Sequence, residues 1–199
     1  NGEFGGRSLE TREELRSLLA RQIPVTIQLS TYTVFLSFGM SVSLGVVSAM
    51  RQNQWPDYLI RLLTVTGNAI PNFWAALLVL LGLVLLLNWS PPVIYEDLWE
   101  NPVTHVQMVV LPVLILTWGY SAHITRITRS ALLDVLRQDY IRTALSKGLT
   151  SRQVIFRHAM RNAIAPVFSV AGLQLSSLLG GTMVLESIFG LPGIGRGLV

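Results

Sequence analysis

Four long stretches of this chain contain no Lys, Arg, Asp or Glu, and they limit the possible folds more than any other feature. The stretches are residues 23–50, 62–95, 101–125 and 162–185. Crossing the hydrocarbon core of a bilayer takes about 20 mainly apolar residues in a helix, so each stretch is long enough. Charged residues make up only 13% of the chain, against about 25% in soluble domains. The sequence therefore predicts an all-α fold, a polytopic transmembrane helical bundle.

Charges and turn residues set the limits of the predicted segments. We predict an extracytoplasmic loop and amphipathic helix over 1–22 and a transmembrane domain over 23–199. Its parts are spans at about 23–50, 62–88, 105–124 and 162–185, a cytoplasmic loop over 125–161 and an outer-side tail over 186–199. Thr11 and Glu14 form a capping-box pattern that would start the amphipathic helix. Pro71 predicts a kink in the second span, because proline removes a backbone hydrogen bond.

The loop charges predict how the chain is oriented. Loop 125–161 carries eight basic residues and two acids, whereas loop 89–104 carries three acids and no Lys or Arg. Cytoplasmic loops of membrane proteins are enriched in Lys and Arg. This rule places 125–161 and the short connection 51–61 in the cytoplasm, and all four spans alternate in agreement with it.

Apart from His105 and His123 near the ends of the third span, polar side chains within the spans are mainly hydroxyls and amides. The first span is rich in Ser, Thr and Gly, which favours close packing between helices. Four polar residues are pathway candidates: Asn68, Asn72, Gln174 and Ser177. The first two are one helical turn apart and the last two are three residues apart, so each pair would share a helix face. Hydrogen bonds between helices explain the same residues equally well.

Loop 125–161 has the pattern of folded helices. Apolar residues recur at helical spacing up to Ile141, Gly148 interrupts the pattern, and Thr150 begins a second amphipathic helix. Two short helices that meet at a glycine would form a rigid protrusion on which another protein could push. A helical basic loop that serves topology alone is the alternative.

At this loop the sequence resembles a known family. Residues 138–149, QDYIRTALSKGL, are similar to the ATPase-docking loop of ATP-binding-cassette importer permeases. Only Ala144 and Gly148 match the general pattern of that class strictly. With RHAMRNA at 157–163, the loop is typical of the dipeptide, oligopeptide and nickel branch. The tail ESIFGLPGIGR at 186–196 and the opening GEFGGRS at 2–8 resemble that branch as well.

The resemblance implies an importer permease core, as a fragment that lacks the first and last of six spans. It implies a coupling helix that sits in a cleft of an ATPase, with these docking residues: Tyr140, Arg142, Thr143, Ala144, Lys147, Gly148 and Leu149. It further suggests an outer gate that includes Glu186, Pro192 and Gly193. The implied partners are two ATPase subunits, a second homologous permease (a heterodimer is favoured) and an extracytoplasmic solute-binding protein. The protein would lie in the lipid bilayer of the bacterial inner membrane. Its cargo would be peptides or related small solutes, and nickel is also possible.

Other functions find little support in the residues. The chain has no GxxxxGK[ST] run, the motif that binds nucleotide phosphates. We therefore expect that the chain is not an enzyme and holds no cofactor, and that ATP and Mg are bound by the partner ATPase. His105, His123 and His158 are dispersed and cysteine is absent, so we expect no catalytic or metal site. The positive charge is concentrated in one loop, and we expect no nucleic-acid partner. The alternatives left are a secondary transporter or channel driven by an ion gradient, which would need an ionisable residue inside a span, and a structural assembly subunit.

Overall fold

The structure is a computed structural model that describes residues 15–92 and 94–197, and every regular element in these ranges is a helix. Three helices are long: α1 (Leu15–Met50), α4 (Pro102–Leu136) and α7 (Met160–Phe189). Four are shorter: α2 (Trp55–Ala69), α3 (Asn72–Leu87), α5 (Asp139–Ser146) and α6 (Ser151–Gln153). A π-helical turn over Val154–Ala159 joins α6 to α7, and a 3₁₀ turn follows at Ile194–Gly197. The predicted all-α class is confirmed.

Three helical segments of the described chain are long and apolar enough to cross a membrane: Leu18–Met50, Pro102–Leu136 and Ser151–Phe189. Helices α2 and α3 make a fourth if the bent pair is counted as one span. The chain bends by 103° at the break between them, which contains Pro71. The predicted kink is therefore present, but as a complete break of the helix.

Several helices extend beyond the predicted boundaries. We predicted a surface helix separate from the first span, yet α1 is continuous from Leu15. Arg21 and Gln22 are good helix formers, and a single proline such as Pro24 is tolerated in a membrane helix. The capping-box pattern at Thr11 lies outside the described residues. Loop 125–161 is itself mostly helical, because α4 continues to Leu136 and the last long segment begins at Ser151.

The chain divides into two compact units, and the long helices contribute to both. The first unit comprises Asn1–Thr33, Asn72–Leu116 and Ser177–Val199. Of these residues, the structure describes those within 15–92 and 94–197. The second unit comprises Val34–Pro71 and Thr117–Ser176. All residues of the predicted docking segment belong to the second unit, and all residues of the predicted outer gate belong to the first.

Small residues let α1 and α4 pack closely in the second unit. A Cβ on Gly45 would lie 2.5 Å from the Cβ of Thr128, so no larger residue fits without a shift of the neighbouring helix. The hydroxyl of Ser41 donates to the carbonyl of Ser121 at 3.1 Å. At these positions the Ser- and Gly-rich composition of the first span serves close packing.

An apolar cluster joins the ends of α1 and α4 to the short helices that follow. Its members include Val46 of α1, Leu132 of α4, Ile141 of α5 and Val154 of the π-helical turn. Leu132 is completely buried, and burying a leucine side chain contributes about 1.5–3 kcal/mol. The cluster therefore fixes the predicted docking segment to two of the long helices.

Candidate functional site

The turn between α5 and α6 is held by its own hydrogen bonds. Gly148 has φ +85°, a conformation that costs little only for glycine. Its N–H donates to the carbonyl of Leu145 at 2.9 Å, which satisfies one of the last carbonyls of α5. Thr150 and Gln153 then form a reciprocal capping box at the start of α6, with Thr150 N–H donating to Gln153 Oε1 at 3.0 Å. The predicted pair of helices that meet at Gly148 is therefore present, and its turn is well defined.

Helix α5 divides the predicted docking residues between two faces. Ile141 and Ala144, one turn apart, are buried in the apolar cluster. The exposed residues are Tyr140, Arg142, Thr143, Lys147 and Gly148, and Leu149 is half-buried. Ala144 was predicted to enter the partner's cleft, but only 8% of it is exposed. Its side chain packs into the apolar cluster, and its small size lets α5 lie close to the neighbouring helices.

Basic and apolar side chains are both exposed along this segment. We define the docking surface as Arg142, Leu145, Lys147, Arg152, Phe156 and Arg157. Leu145 and Phe156, which the sequence analysis did not single out, are 45% and 55% exposed. A shallow cavity of about 330 Å³ is lined by Phe156 with Arg152, Gln153 and Arg157. Such a surface suits a partner that offers an apolar side chain surrounded by carboxylates.

The cations of the docking surface remain available to a partner. Arg142 approaches Asp139 at 3.9 Å, but the two side chains are 78% and 98% exposed. An ion pair so open to water contributes little, because water screens the charges and both long side chains lose freedom. A carboxylate of a partner could therefore replace Asp139 beside Arg142 at little cost in free energy.

A buried ion pair that the sequence analysis missed joins α2 to α4. The Arg129 guanidinium donates through Nε and Nη2 to the two Asp57 carboxylate oxygens, each at 2.8 Å. The Ser48 hydroxyl also donates to this carboxylate, and the Asn53 N–H donates to it at 3.0 Å. Asp57 is fully buried, whereas 21% of the Arg129 side chain is exposed. Asp57 therefore ties the start of α2 and the end of α1 to α4.

The residues named as pathway candidates lie in different settings. Asn68 is exposed and donates to the carbonyl of Thr64 in its own helix at 3.0 Å. Its predicted shared face with Asn72 does not exist, because α2 ends at Ala69 and the chain then breaks. Gln174 and Ser177 are three residues apart within the unbroken α7 and do share a face. A pathway role for these four residues stays a prediction.

Two of the outer-gate candidates are in contact in the first unit. Glu186 is fully buried, and its Oε2 accepts the N–H of Gly195 at 2.8 Å. A Cβ on Gly193 would overlap the Glu186 carboxylate, so only glycine fits there. Pro192 lies half-buried in the same turn, and the next N–H after Gly193, that of Ile194, donates to the Thr26 hydroxyl at 3.0 Å. The tail is thus a folded turn around a buried carboxylate.

A second polar cluster of the first unit surrounds His105. The buried imidazole lies 3.0 Å from the side-chain amide nitrogen of Gln28 through Nε2, and 3.1 Å from the carbonyl of Glu96 through Nδ1. The Tyr95 hydroxyl donates to Gln28 Oε1 at 3.3 Å. Burial, together with the nearby charge of Asp97, raises the pKa of Tyr95 to about 12. Within 15–92 and 94–197, no three His, Cys, Asp or Glu side chains are grouped as a metal ion requires.

Comparison with known proteins identifies the family. Residues 41–199 match the family described as binding-protein-dependent transport system inner membrane component. The chain belongs to this family. The match covers most of the described helices, so the chain is a multi-pass inner-membrane component and its apolar helices are membrane helices.

Relatives of this inner-membrane component are permeases by name. The oligopeptide transport system permease protein AppB of Bacillus subtilis is 38% identical over 98% of this chain and 62% of its own length. The oligopeptide transport system permease protein OppB of Escherichia coli K12 is 36% identical over the same shares. The chain thus spans less than two thirds of these relatives. The crystal structure of an amino acid ABC transporter with histidines has the same fold, with a TM-score of 0.62 at 18% identity over 91% of this chain and 76% of that chain.

Proposed function

We propose that this chain is the core of a permease subunit in an ATP-driven peptide importer, and that its docking surface receives an ATPase carried on another chain. The observation that carries the proposal is the docking surface itself. It combines four exposed cations with two exposed apolar side chains on a turn held by Gly148 and a capping box. The names of the two oligopeptide permeases support peptides as the cargo.

The packing of the second unit suggests how a push on the docking surface would reach the membrane helices. Ile141 and Ala144 seat α5 on the same cluster that contains Leu132 of α4 and Val46 of α1. Close-packed interiors move as units because their side chains have few alternative arrangements. Closure of two ATPases around ATP and Mg would shift the permease between inward-open and outward-open states through differential binding. In this proposal the chain performs no chemistry of its own.

The remaining parts of the proposal concern orientation and partners. The basic docking segment faces the cytoplasm, as the excess of Lys and Arg in loop 125–161 suggests. The turn around Glu186 faces the outside and forms part of a gate on the side of the solute-binding protein. A second, homologous permease completes the pathway, with two ATPases below. Peptides are favoured over nickel, because the permeases named above carry oligopeptides by name.

Disulfide cross-linking tests the docking surface directly, since these 199 residues contain no cysteine and any cysteine elsewhere in the full-length protein is first replaced by serine. Single variants Thr143→Cys and Ser146→Cys, both at exposed positions of α5, are made in the full-length permease and paired with cysteines on the candidate ATPase. We expect cross-links whose yield changes when ATP is added. The matched control is Ala144→Cys, on the same helix but buried, which should cross-link poorly.

Two outcomes would contradict the proposal. If neither exposed cysteine cross-links to an ATPase in membranes that contain all subunits, the docking assignment fails, and the ion-gradient-driven transporter becomes the better explanation. If Ala144→Cys cross-links as well as Thr143→Cys, the face of α5 that meets the partner has been assigned wrongly.

A further inference from the structure

One side of α2 is packed, and the opposite side is bare. Its buried residues recur every three or four positions: Asp57, Ile60, Thr64 and Gly67. Helix α4 covers this side, with Arg129 bonded to Asp57 and Ala122 against Gly67. The opposite side presents Trp55, Tyr58 and Leu62, which are 74%, 56% and 60% exposed. A contiguous apolar face of this kind marks contact with lipid or with another protein.

Positive charge accompanies the bare face. Arg51 and Arg61 are both exposed, and within the described ranges neither pairs with a carboxylate. The Arg61 guanidinium lies 5.8 Å from the centre of the Tyr58 ring. The acid of this segment, Asp57, is turned inward and neutralised by Arg129. The turn before α2 and the exposed side of the helix therefore present two aromatic rings and two cations without a carboxylate partner in the described ranges.

We propose that Arg51, Trp55, Tyr58 and Arg61 hold the start of α2 in the headgroup layer of the cytoplasmic leaflet and bind the phosphate of an anionic phospholipid. Trp and Tyr prefer this layer because one part of each ring system is apolar and another is polar. The placement in the cytoplasmic leaflet rests on the orientation given in the proposed function. Negative lipid surfaces attract basic residues next to membrane spans.

The order of residues along α2 agrees with a position of its first turn in the headgroup layer. Helical side chains lean toward the N-terminus, so Arg61 extends back toward Trp55 and away from the leucines that follow. Beyond Arg61 the segment contains no charged residue up to Tyr95. The boundary between headgroups and hydrocarbon therefore falls near Leu62. Because Asp57 ties this anchor to Arg129, the lipid contact also fixes the membrane depth of the adjoining part of α4.

Photo-cross-linking in nanodiscs tests the inference on the full-length permease in its complex. Photoactivatable phosphatidylglycerol and phosphatidylcholine are supplied in separate, otherwise identical samples, and labelled peptides are mapped by mass spectrometry. We expect phosphatidylglycerol to label residues 51–62 in preference to phosphatidylcholine, by about fivefold for each guanidinium involved. The double variant Arg51→Gln/Arg61→Gln should abolish the preference. The matched control, Arg137→Gln/Arg161→Gln, loses the same charge from exposed positions outside α2 and outside the docking surface, and should keep the preference.

Two results would overturn the inference. Equal labelling by the two lipids in the unmodified protein would show that no anionic headgroup is selected, whether or not the double variant folds. A photoreactive phenylalanine analogue at position 58 that labels a protein subunit in place of lipid would show that a protein covers this face. The ATPase cross-link at Thr143, measured in the same preparation, separates the two proposals. Its loss while the lipid preference persists counts against the proposed function alone.

Discussion

Replacing Asp57 with alanine removes a buried carboxylate that four groups share. The two guanidinium contacts of Arg129, the Ser48 hydroxyl and the Asn53 N–H all lose their acceptor. Breaking a buried ion pair by removing one partner costs about 3–5 kcal/mol, because the other charge stays desolvated. Since 21% of the Arg129 side chain is exposed, water can recover part of this cost. We therefore expect the free energy of unfolding to fall by about 3 kcal/mol, near the lower end of that range.

The assay is reversible unfolding of the purified full-length protein by SDS titration in mixed micelles. Asp134→Asn is the matched control, because Asp134 is an exposed acid on the same helix as Arg129. We expect it to change the free energy of unfolding by less than about 0.5 kcal/mol. Hydrogen exchange of the amides in the first turn of α2 should rise with Asp57→Ala and stay unchanged with Asp134→Asn.

A paired substitution separates the lost attraction from the stranded charge. Asp57→Leu/Arg129→Met replaces both partners with apolar side chains, and such replacements are often close to neutral. We expect this double variant to regain most of the stability that Asp57→Ala loses. If Asp57→Ala costs no more than the Asp134→Asn control, then the pair does not hold α2 to α4 in the membrane, and the reasoning is refuted.

Three further predictions follow from burial and close contact. Leu132→Ala should lower the free energy of unfolding by about 2–5 kcal/mol, whereas Leu86→Ala, at a residue 82% exposed, should barely change it in the same titration. Gly193→Ala should loosen the turn around Glu186 and speed its cleavage by added protease, because a Cβ there overlaps a buried carboxylate. Gly172→Ala, with open space around it, should have no such effect. Because the pKa of Tyr95 is raised in the folded protein, the unfolded chain loses the phenol proton at a lower pH than the folded protein does. The free energy of unfolding should therefore fall as the pH rises from about 10 to about 12. Tyr95→Phe should remove this pH dependence.

The sequence predicts those features whose cause is local. A run of apolar residues without charge must be buried in lipid or protein, so the membrane helices follow from composition. Pro71 lacks an N–H, so a kink at this point was predicted from a single residue, although the complete break was not. Gly148 was predicted to interrupt the helical pattern, and its positive φ forms the turn after α5. The capping box at Thr150 is likewise contained within four residues.

What the sequence did not predict depends on contacts distant in the chain. Asp57 and Arg129 are 72 positions apart, and in a count of loop charges each is simply one more exposed ion. Ala144 matches the family pattern, but only the packing of α5 against Leu132 shows that it faces inward. The sequence did contain a signal for this orientation. Ala144 lies three residues after the apolar Ile141, so the two share one face of α5. The break at Pro71 in turn removed the shared face of Asn68 and Asn72, which assumed an unbroken helix.

Glu186 decides between an ATP-driven pump and a gradient-driven transporter most directly. It is a fully buried carboxylate, and its Oε1 has no hydrogen-bond partner in the described part of the chain, which makes it the natural place for a coupling proton or cation. The pump proposal gives it a different role, because Oε2 holds the turn around Glu186 by accepting the N–H of Gly195. Glu186→Gln removes the charge and keeps an oxygen for that bond, whereas Glu186→Ala removes both.

Peptide uptake into proteoliposomes with ATP supplied on the ATPase side distinguishes the two roles. If the carboxylate only holds the turn, Glu186→Gln should transport close to the unmodified rate and Glu186→Ala should fall severalfold, because the turn then loses a buried hydrogen bond. Equal loss in both variants, with uptake that follows an imposed proton gradient and ignores ATP, would show that the charge itself drives transport. In that case the docking surface would no longer be needed as the point of energy input, and the proposed function would have to be abandoned.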